Sequence, residues 1–405
     1  MKYIIILADG MADEPIAELG NKTPLEAAYT PNIDHLCAKG RCGTLATVPA
    51  GYEPGSEVAH LSLLGYDLAK VFEGRGSLEA ASMGVAIDDG ELAMRCNLIC
   101  IADGKIKNHS AGHISDSEAK ALIEYLNDKL SDDNIRFFPG VSYRHLLKIR
   151  GGNKHIHFTP PHDVPGTPYA EVMPYAECNE AEPTARLICN LILRSQEILP
   201  SHPVNQKRIA EGKDPANSIW PWSAGYRPAM ATLNAKFGIH RGAVISAVDL
   251  IRGIGIYAGL EPIHVEGATG LYNTNYSGKA EAAIKAISGD YDFVFLHIEA
   301  PDEAGHEGNF SLKKRTIEDI DRLVCRPIID ATSKMDEPVT IALLPDHPTP
   351  CSIRTHSASP VPFLIYCRNM PADNVAEFNE QSARNGSLGA LSDDEFIRLL
   401  LKHDK

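Results

Sequence analysis

No C-x-x-C pair and no zinc-finger spacing occurs among the nine cysteines, at 37, 42, 96, 100, 178, 189, 325, 351 and 367, which excludes the common structural zinc modules. Their number is odd and their surroundings are mostly apolar, so they read as reduced core residues of a cytoplasmic protein. A G-x-x-x-x-G-K-[ST] loop is missing as well, and nucleotide binding of the P-loop kind has no support. Positive charge is scarce: 39 Lys and Arg stand against 53 Asp and Glu, a formal charge of −14. Nucleic acid and anionic membrane are therefore poor partners. No apolar run reaches the length of a membrane span, and Asp9 interrupts the first one before a signal-peptide core forms. Internal repeats and low-complexity tracts are absent too.

What remains is a chain of 405 residues, 44% hydrophobic, long enough for two domains with sizeable cores. KYIIILA reads as a strand that empties into Asp9-Gly10. YDFVFLHIEA reads as another, followed by Asp302-x-x-x-His306, and VTIALLP as a third, followed by Asp346-His347 and then His356. Three buried-type strands, each ending in a carboxylate or imidazole, are the pattern of an open α/β sheet with its site beyond the strand ends. Taken singly, each Asp-His block is an ordinary polar loop cluster. Taken together they share one topological position, and hard oxygen and imidazole groups so arranged suit a two-metal phosphoryl-transfer site.

Ser56 follows the turn residues Pro54-Gly55, and Val58, Leu61 and Leu64 have helical spacing. Two readings are compatible here. Ser56 is a helix N-cap, or it is a hydroxyl at a helix N-terminus, where anionic oxygens are favoured, activated as a nucleophile.

Elsewhere the pattern predicts a helix over NIDHLCAKG after Thr30-Pro31, helices near 77–83 and 116–130, a strand over 93–101, a sheet edge at RHLLKIRG and a helix over 181–199. Residues 200–230, rich in Pro, Asn and Trp, read as irregular surface, with Trp220 and Trp222 as packing residues. From Gly242 the strand AVISAV, helices over 249–258 and 279–287 and the strand FVFLHI restore a βα rhythm. Asp9 and Ser56 must meet the later ligands in one site. The intervening region, 89–231, is therefore an expected insertion between 1–88 and 232–405.

The blocks Asp9-Gly10-Met11-Ala12-Asp13, Pro54-Gly55-Ser56-Glu57-Val58-Ala59-His60, Asp302-Glu303-Ala304-Gly305-His306, Asp346-His347 and Thr355-His356-Ser357 stand in the order seen in the alkaline phosphatase superfamily. Within it the chain resembles the archaeal-type, cofactor-independent (2,3-bisphosphoglycerate-independent) phosphoglycerate mutases over its whole length. Gly74-Arg75-Gly76, Ser110-Ala111-Gly112-His113, Gly140-Val141-Ser142-Tyr143-Arg144 and Pro215-Ala216-Asn217-Ser218-Ile219-Trp220 extend the likeness.

The resemblance implies an α/β fold: an alkaline-phosphatase-like core, its mostly parallel sheet flanked by helices, interrupted by a smaller inserted α/β domain that closes over the substrate. It implies two divalent metal ions (Mn, Mg, Co or Zn), one on Asp9, Ser56, Asp346 and His347, the other on Asp302, His306 and His356. It also implies a phosphoserine at Ser56, no bisphosphoglycerate cofactor, and interconversion of 3-phosphoglycerate and 2-phosphoglycerate. Arg144, Arg227, His109 and His113 from the insert and Lys279 from the core are the residues expected to grip the small phosphorylated acid. Two stretches depart from the family pattern, Lys107-Asn108-His109-Ser110 and Trp222-Ser223-Ala224-Gly225. A homoserine phosphotransferase and a metal-dependent phosphatase would share the metal set, and a non-enzymatic metal-binding protein is the alternative of another class. Oligomeric state is not legible.

Overall fold

In a computed structural model that describes residues 1–402, KYIIILA forms the strand Lys2–Ala8, buried along nearly its whole length. It lies inside an eight-stranded sheet whose order is Leu260–Pro262, Gly242–Ile245, Phe293–Ile298, Lys2–Ala8, Val339–Leu344, Val361–Tyr366, Arg41–Ala46 and Gly389–Ser392. The first five strands run parallel, Val361–Tyr366 is antiparallel to both neighbours, and Arg41–Ala46 pairs in parallel with Gly389–Ser392. Continuous Ile, Val, Leu and Phe suit the central strands because helices cover a parallel sheet on its faces. Helices Pro31–Lys39, Tyr276–Ser288 and Phe310–Ile320 supply Ile33, Leu36, Ala280, Ala283, Ile317 and Ile320 to one core with Ile4, Ile6, Val294 and Leu296.

Register is what makes a site. Leu7 pairs with His297 on one side and Leu344 on the other. Three strands thus end level, and the residues that follow them leave the sheet at one edge.

The sheet belongs to a unit made of Met1–Phe72 and the described residues from Ala229 onward, while Glu73–Pro228 form a second unit. That second unit holds an antiparallel sheet ordered Lys105–Asn108, Glu91–Ala102, Arg144–Arg150 and Ile135–Phe138, with Ser218–Gly225 also pairing with Glu91–Ala102. Helices Asp116–Leu130 and Glu182–Ile198 share its core.

Three details differ from the sequence expectation. Residues 200–230 are not irregular surface: they contain the helix Pro203–Ala210 and the strand Ser218–Gly225, with Trp220 fully buried. Pro221 disguised that strand, and it is tolerated because, among the described residues, the strand pairs only with Glu91–Ala102 and needs donors on one side alone. RHLLKIRG is not an edge, since Arg144–Arg150 pairs with strands on both sides. Finally, the helix Arg75–Ser82 lies in the second unit, ahead of the expected 88/89 border. It packs so closely that a Cβ on Gly76 would stand 2.4 Å from the Met94 Cα, which accounts for the second glycine of Gly74-Arg75-Gly76.

His145, on the strand Arg144–Arg150, is buried, and its Nδ1 accepts the Gly140 N–H at 3.0 Å. Burial pushes its pKa down to about 4, against a weaker upward pull from Asp116. A histidine held neutral in the fold contributes stability that is complete above the unfolded value of about 6.5 and is lost as pH falls towards the folded value. The loss is expected to reach about 3 kcal/mol between those limits. Both tryptophans lie in this unit, so Trp fluorescence during urea unfolding reports on it. Between pH 7 and 4 the unfolding midpoint of the parent should fall further than that of His145→Gln. Parallel pH dependences would show that His145 is protonated in the fold.

Candidate metal centre

Seven side chains from the ends of the central strands and from the Ser56 helix fall into two adjoining groups. In the first, His347 Nε2 lies 3.1 Å from Asp346 Oδ2, 3.4 Å from Ser56 Oγ and 3.9 Å from Asp9 Oδ1. In the second, His306 Nε2 and His356 Nε2 are 3.0 Å apart and stand 3.2 and 3.5 Å from the two oxygens of Asp302. The His347 and His356 ring centroids are 4.0 Å apart. The structure thus brings together the seven residues that the resemblance named, and His347 lies close to Asp302 and His356 as well as to Asp9 and Asp346.

Local sequence explains each placement. Gly55 is the N-cap of the helix Ser56–Leu63, and Ser56 is its first residue, with its Oγ 3.4 Å from His347 Nε2. The Ser56 hydroxyl therefore does not cap the helix; it faces His347. Gly10 has φ +61, and a Cβ there would sit 2.6 Å from Asp302 Cα and Oδ1, so the turn after Asp9 admits only glycine without displacing Asp302. The Gly10 amide then donates to Asp346 Oδ1 at 3.1 Å. Gly305 plays the same part on the helix Ala300–His306, where a Cβ would meet the Thr349 carbonyl oxygen at 2.4 Å.

The donor set fits divalent cations. His306 Nδ1 faces the Arg354 carbonyl at 3.0 Å and His356 Nδ1 faces that of Pro54 at 3.4 Å. A carbonyl only accepts, so each Nδ1 carries a hydrogen, and the two Nε2 atoms turn towards Asp302 and one another. Two Nε2 atoms 3.0 Å apart beside a carboxylate are placed as ligands of a cation, which would take the place of the proton that His306 otherwise shares with Asp302. In the first group, Asp9 Oδ1 and Asp346 Oδ2 are buried and accept no hydrogen bond, a costly condition unless a positive charge is supplied.

Electrostatics follow from crowding. Burial, then the carboxylates of Asp346 and Asp302, push Asp9 well above the ordinary range. Burial acts the same way on Asp302, but hydrogen bonds from His306 and His356 outweigh it and hold that carboxyl well below the ordinary range. The same Asp302 contact raises His306 to about 9. Burial is also opposed at Asp346, by His347 and His60, and its net shift is downward.

Sequence reasoning missed two buried histidines behind these groups. His297 Nε2 bonds Asp9 Oδ2 at 2.8 Å, and its Nδ1 bonds Ser246 Oγ at 2.9 Å. His60 Nδ1 donates to the Ser56 carbonyl at 2.7 Å and lies 3.5 Å from Asp346 Oδ2. The signals were legible: a histidine one turn after Ser56, and a histidine inside the apolar strand FVFLHI. Lys279 is 1% exposed and donates to the His297 carbonyl at 3.1 Å. Burial lowers it to about 8, while the Glu299 carboxylate pulls the other way.

The remaining residues lie in the second unit. His109 and His113 have ring centroids 5.7 and 6.4 Å from Tyr143, and the Arg144 guanidinium is 5.7 Å from the same ring. His162, which the sequence did not single out, stands 6.2 Å from His109 and 5.4 Å from Trp222, over which the Arg95 guanidinium stacks at 4.5 Å. Ala111, Gly112 and His113 are all left-handed, with φ of 47, 65 and 51. Arg227 is exposed just past the strand Ser218–Gly225.

Residues 37–205 match the family model described as 2,3-bisphosphoglycerate-independent phosphoglycerate mutase. The chain is 50% identical to a protein of that name from Methanosarcina mazei, over 99% of this chain and 100% of the relative. It is 47% identical, over the whole of both chains, to a probable 2,3-bisphosphoglycerate-independent phosphoglycerate mutase from Geobacter sulfurreducens. Among solved structures, a Pyrococcus horikoshii protein is similar at a TM-score of 0.84 and 30% identity, covering 100% of this chain and 98% of that one. The cofactor-independent phosphoglycerate mutase of Thermoplasma acidophilum is similar at a TM-score of 0.69 and 29% identity, over 99% of each chain.

The contact at Gly305 has a measurable consequence. Alanine in place of a helical glycine ordinarily favours the helix by about 1 kcal/mol. Here the new methyl must push the helix Ala300–His306 away from the Thr349 carbonyl, so Gly305→Ala is expected to cost about 1–3 kcal/mol. Thermal unfolding of the two proteins decides the sign, and a stabilised variant would refute the close approach.

Proposed function

The chain belongs to the 2,3-bisphosphoglycerate-independent phosphoglycerate mutases and interconverts 3-phosphoglycerate and 2-phosphoglycerate; we propose that it does so by carrying the phosphoryl group on Ser56. The observation that supports this is the Ser56 hydroxyl, free of any capping duty at the start of its helix and 3.4 Å from His347 Nε2. Divalent cations held by Asp9, Ser56, Asp346 and His347, and by Asp302, His306 and His356, would lower the pKa of that hydroxyl and neutralise phosphoryl oxygens. Mixed oxygen and imidazole sets of this kind accept Mn, Mg, Co or Zn.

Ser56 Oγ gives up its proton and bonds to phosphorus as the bond from phosphorus to the glycerate oxygen breaks. The departing oxygen takes up a proton, and glycerate is left beside phosphoserine. The other hydroxyl of glycerate then repeats the exchange in reverse, and Ser56 regains its proton. Atoms balance without water and without a bisphosphorylated cofactor, because the protein itself holds the phosphoryl group between steps. The amides that open the helix Ser56–Leu63 favour the anionic phosphoserine.

Arg144, Arg227, His109 and His113 are assigned to the carboxylate and hydroxyls of the glycerate, and Arg95 and His162 extend that set. Lys279 keeps its assignment to the phosphate, its ammonium held on the His297 carbonyl. Closure of the second unit over the substrate, which keeps water from phosphoserine, belongs to the same proposal. No helix among the described residues is long and apolar enough to cross a membrane. A cytoplasmic location fits the nine unpaired cysteines, seven of them buried.

Enzyme quenched during turnover is expected to carry one phosphoryl group on the peptide containing Gly55-Ser56-Glu57, detected by mass spectrometry. Ser56→Ala should remove that mass and lower turnover by about 10³-fold or more. Turnover near the parent rate in Ser56→Ala would sink the covalent route. Arg144→Ala should isomerise more slowly and release more inorganic phosphate per turnover, since loosely held glycerate escapes and leaves phosphoserine to water. An unchanged ratio of phosphate to 2-phosphoglycerate, at a normal rate, would remove Arg144 from the substrate's grip.

A further inference from the structure

Lys313 is a charged residue with no exposed surface, on the helix Phe310–Ile320, and nothing in the chemistry above uses it. Its ammonium has three hydrogens and three acceptors. It donates to the Ala12 carbonyl at 2.9 Å, to Asp13 Oδ2 at 2.7 Å and to the Thr349 carbonyl at 2.9 Å. Two of these acceptors are backbone, one in each of two loops. Ala12 lies three residues after Asp9, and Thr349 lies two residues after His347.

The Asp13 carboxylate neutralises the ammonium. It accepts the Glu14 amide at 2.8 Å and, across the gap, the Cys351 amide at 3.2 Å. The Asp13 amide in turn donates to Glu380 at 3.0 Å, and that carboxylate also takes the Thr23 hydroxyl at 2.8 Å. Thr349 is a junction in its own right. Its amide donates to the Ala12 carbonyl, its hydroxyl donates to Asp302 and lies 3.3 Å from His347 Nδ1, and Gly305 presses on its carbonyl.

An ion pair buried only for stability is a poor device, because apolar side chains of equal volume commonly do as well. Carbonyl acceptors on two ligand-bearing loops fix a distance instead, which an apolar contact cannot do. We infer that Lys313 is a positioning residue for the metal centre: it ties the loop after Lys2–Ala8 to the loop after Val339–Leu344, and so sets Asp9 against Asp346, His347 and, through Thr349, Asp302. The inference rests on the ligand sets proposed above. Groups that orient metal ligands commonly change affinity by about 10-fold to 100-fold when removed.

Three variants of the full chain test it by Mn²⁺ titration, with free Mn²⁺ read by electron paramagnetic resonance and folding by thermal unfolding of the metal-free protein. Lys313→Met removes the tie and leaves a buried carboxylate. Asp13→Asn/Lys313→Met removes both charges and should recover metal-free stability without recovering the tie. Both are expected to bind Mn²⁺ about 10-fold to 100-fold more weakly than the parent at a temperature where they are folded. Asp13→Asn alone leaves Lys313 on its two carbonyls and should bind within about threefold of the parent. Parental affinity in either folded Lys313 variant overturns the inference, as does an equal loss in Asp13→Asn. If neither Lys313 variant folds even with saturating Mn²⁺, the lysine is a folding requirement and the inference is again overturned. A parent that binds no Mn²⁺ would instead count against the ligand sets themselves.

Discussion

Three carboxylates, those of Asp9, Asp302 and Asp346, are buried at one end of one sheet, and their mutual repulsion is the constraint that the surrounding structure answers. Placing like charges together in a region poor in water is costly unless opposite charge comes with them. The protein's own answer is imidazole: His306 and His356 on Asp302, His347 and His60 on Asp346, and His297 on Asp9. The answer is uneven, since Asp302 and Asp346 are held down while Asp9 is pushed up. A cation against Asp9 Oδ1 would supply what the histidines leave out, and this is why the group reads as a candidate metal centre rather than as a stabilising network.

Holding such a cluster demands a rigid frame, and the frame is built from backbone as much as from side chains. Level strand ends bring the loops out together. Gly10 and Gly305 let those loops approach within distances that no other residue allows. Lys313 and Thr349 then join them. The catalytic hydroxyl assigned to Ser56 arrives on a separate helix, and His60, one turn further along it, bonds back to the Ser56 carbonyl. The proposed phosphoryl transfer thus falls within the unit built on the large sheet. The Tyr143 and Trp222 cluster of histidines and arginines lies in the other unit, which suits a division between phosphoryl transfer and recognition of the acid.

The fold was legible where physics is local. Runs such as KYIIILA, FVFLHI and VTIALL are strands because β-branched and large apolar residues in unbroken series must be covered on both faces. Each ends where a charged residue follows, so Asp9, Asp302 and Asp346 could be placed on one edge before any coordinate was known. Ser218–Gly225 was not legible, because Pro221 and the polar residues before it mimic a loop, and only pairing with Glu91–Ala102 makes it a strand. The helix Arg75–Ser82 was found, but its allegiance to the second unit depends on a contact with Met94.

For the site, the sequence determined which residue types leave the strand ends, and the family motifs determined which of them form sets. Tertiary structure decided the rest. It decided that Ser56 faces His347 instead of capping its helix, and that the Nδ1 atoms of His306 and His356 meet carbonyls, turning their Nε2 atoms towards Asp302 and one another. It brought His297 to Asp9 across 288 residues and Lys313 to Ala12 across 301. It also took Lys279, expected to grip the substrate, into the interior. A residue's type and local spacing follow from the chain, but the partner of a buried polar group lies wherever the fold brings a complementary group within about 3 Å. Separation along the sequence carries no record of that distance.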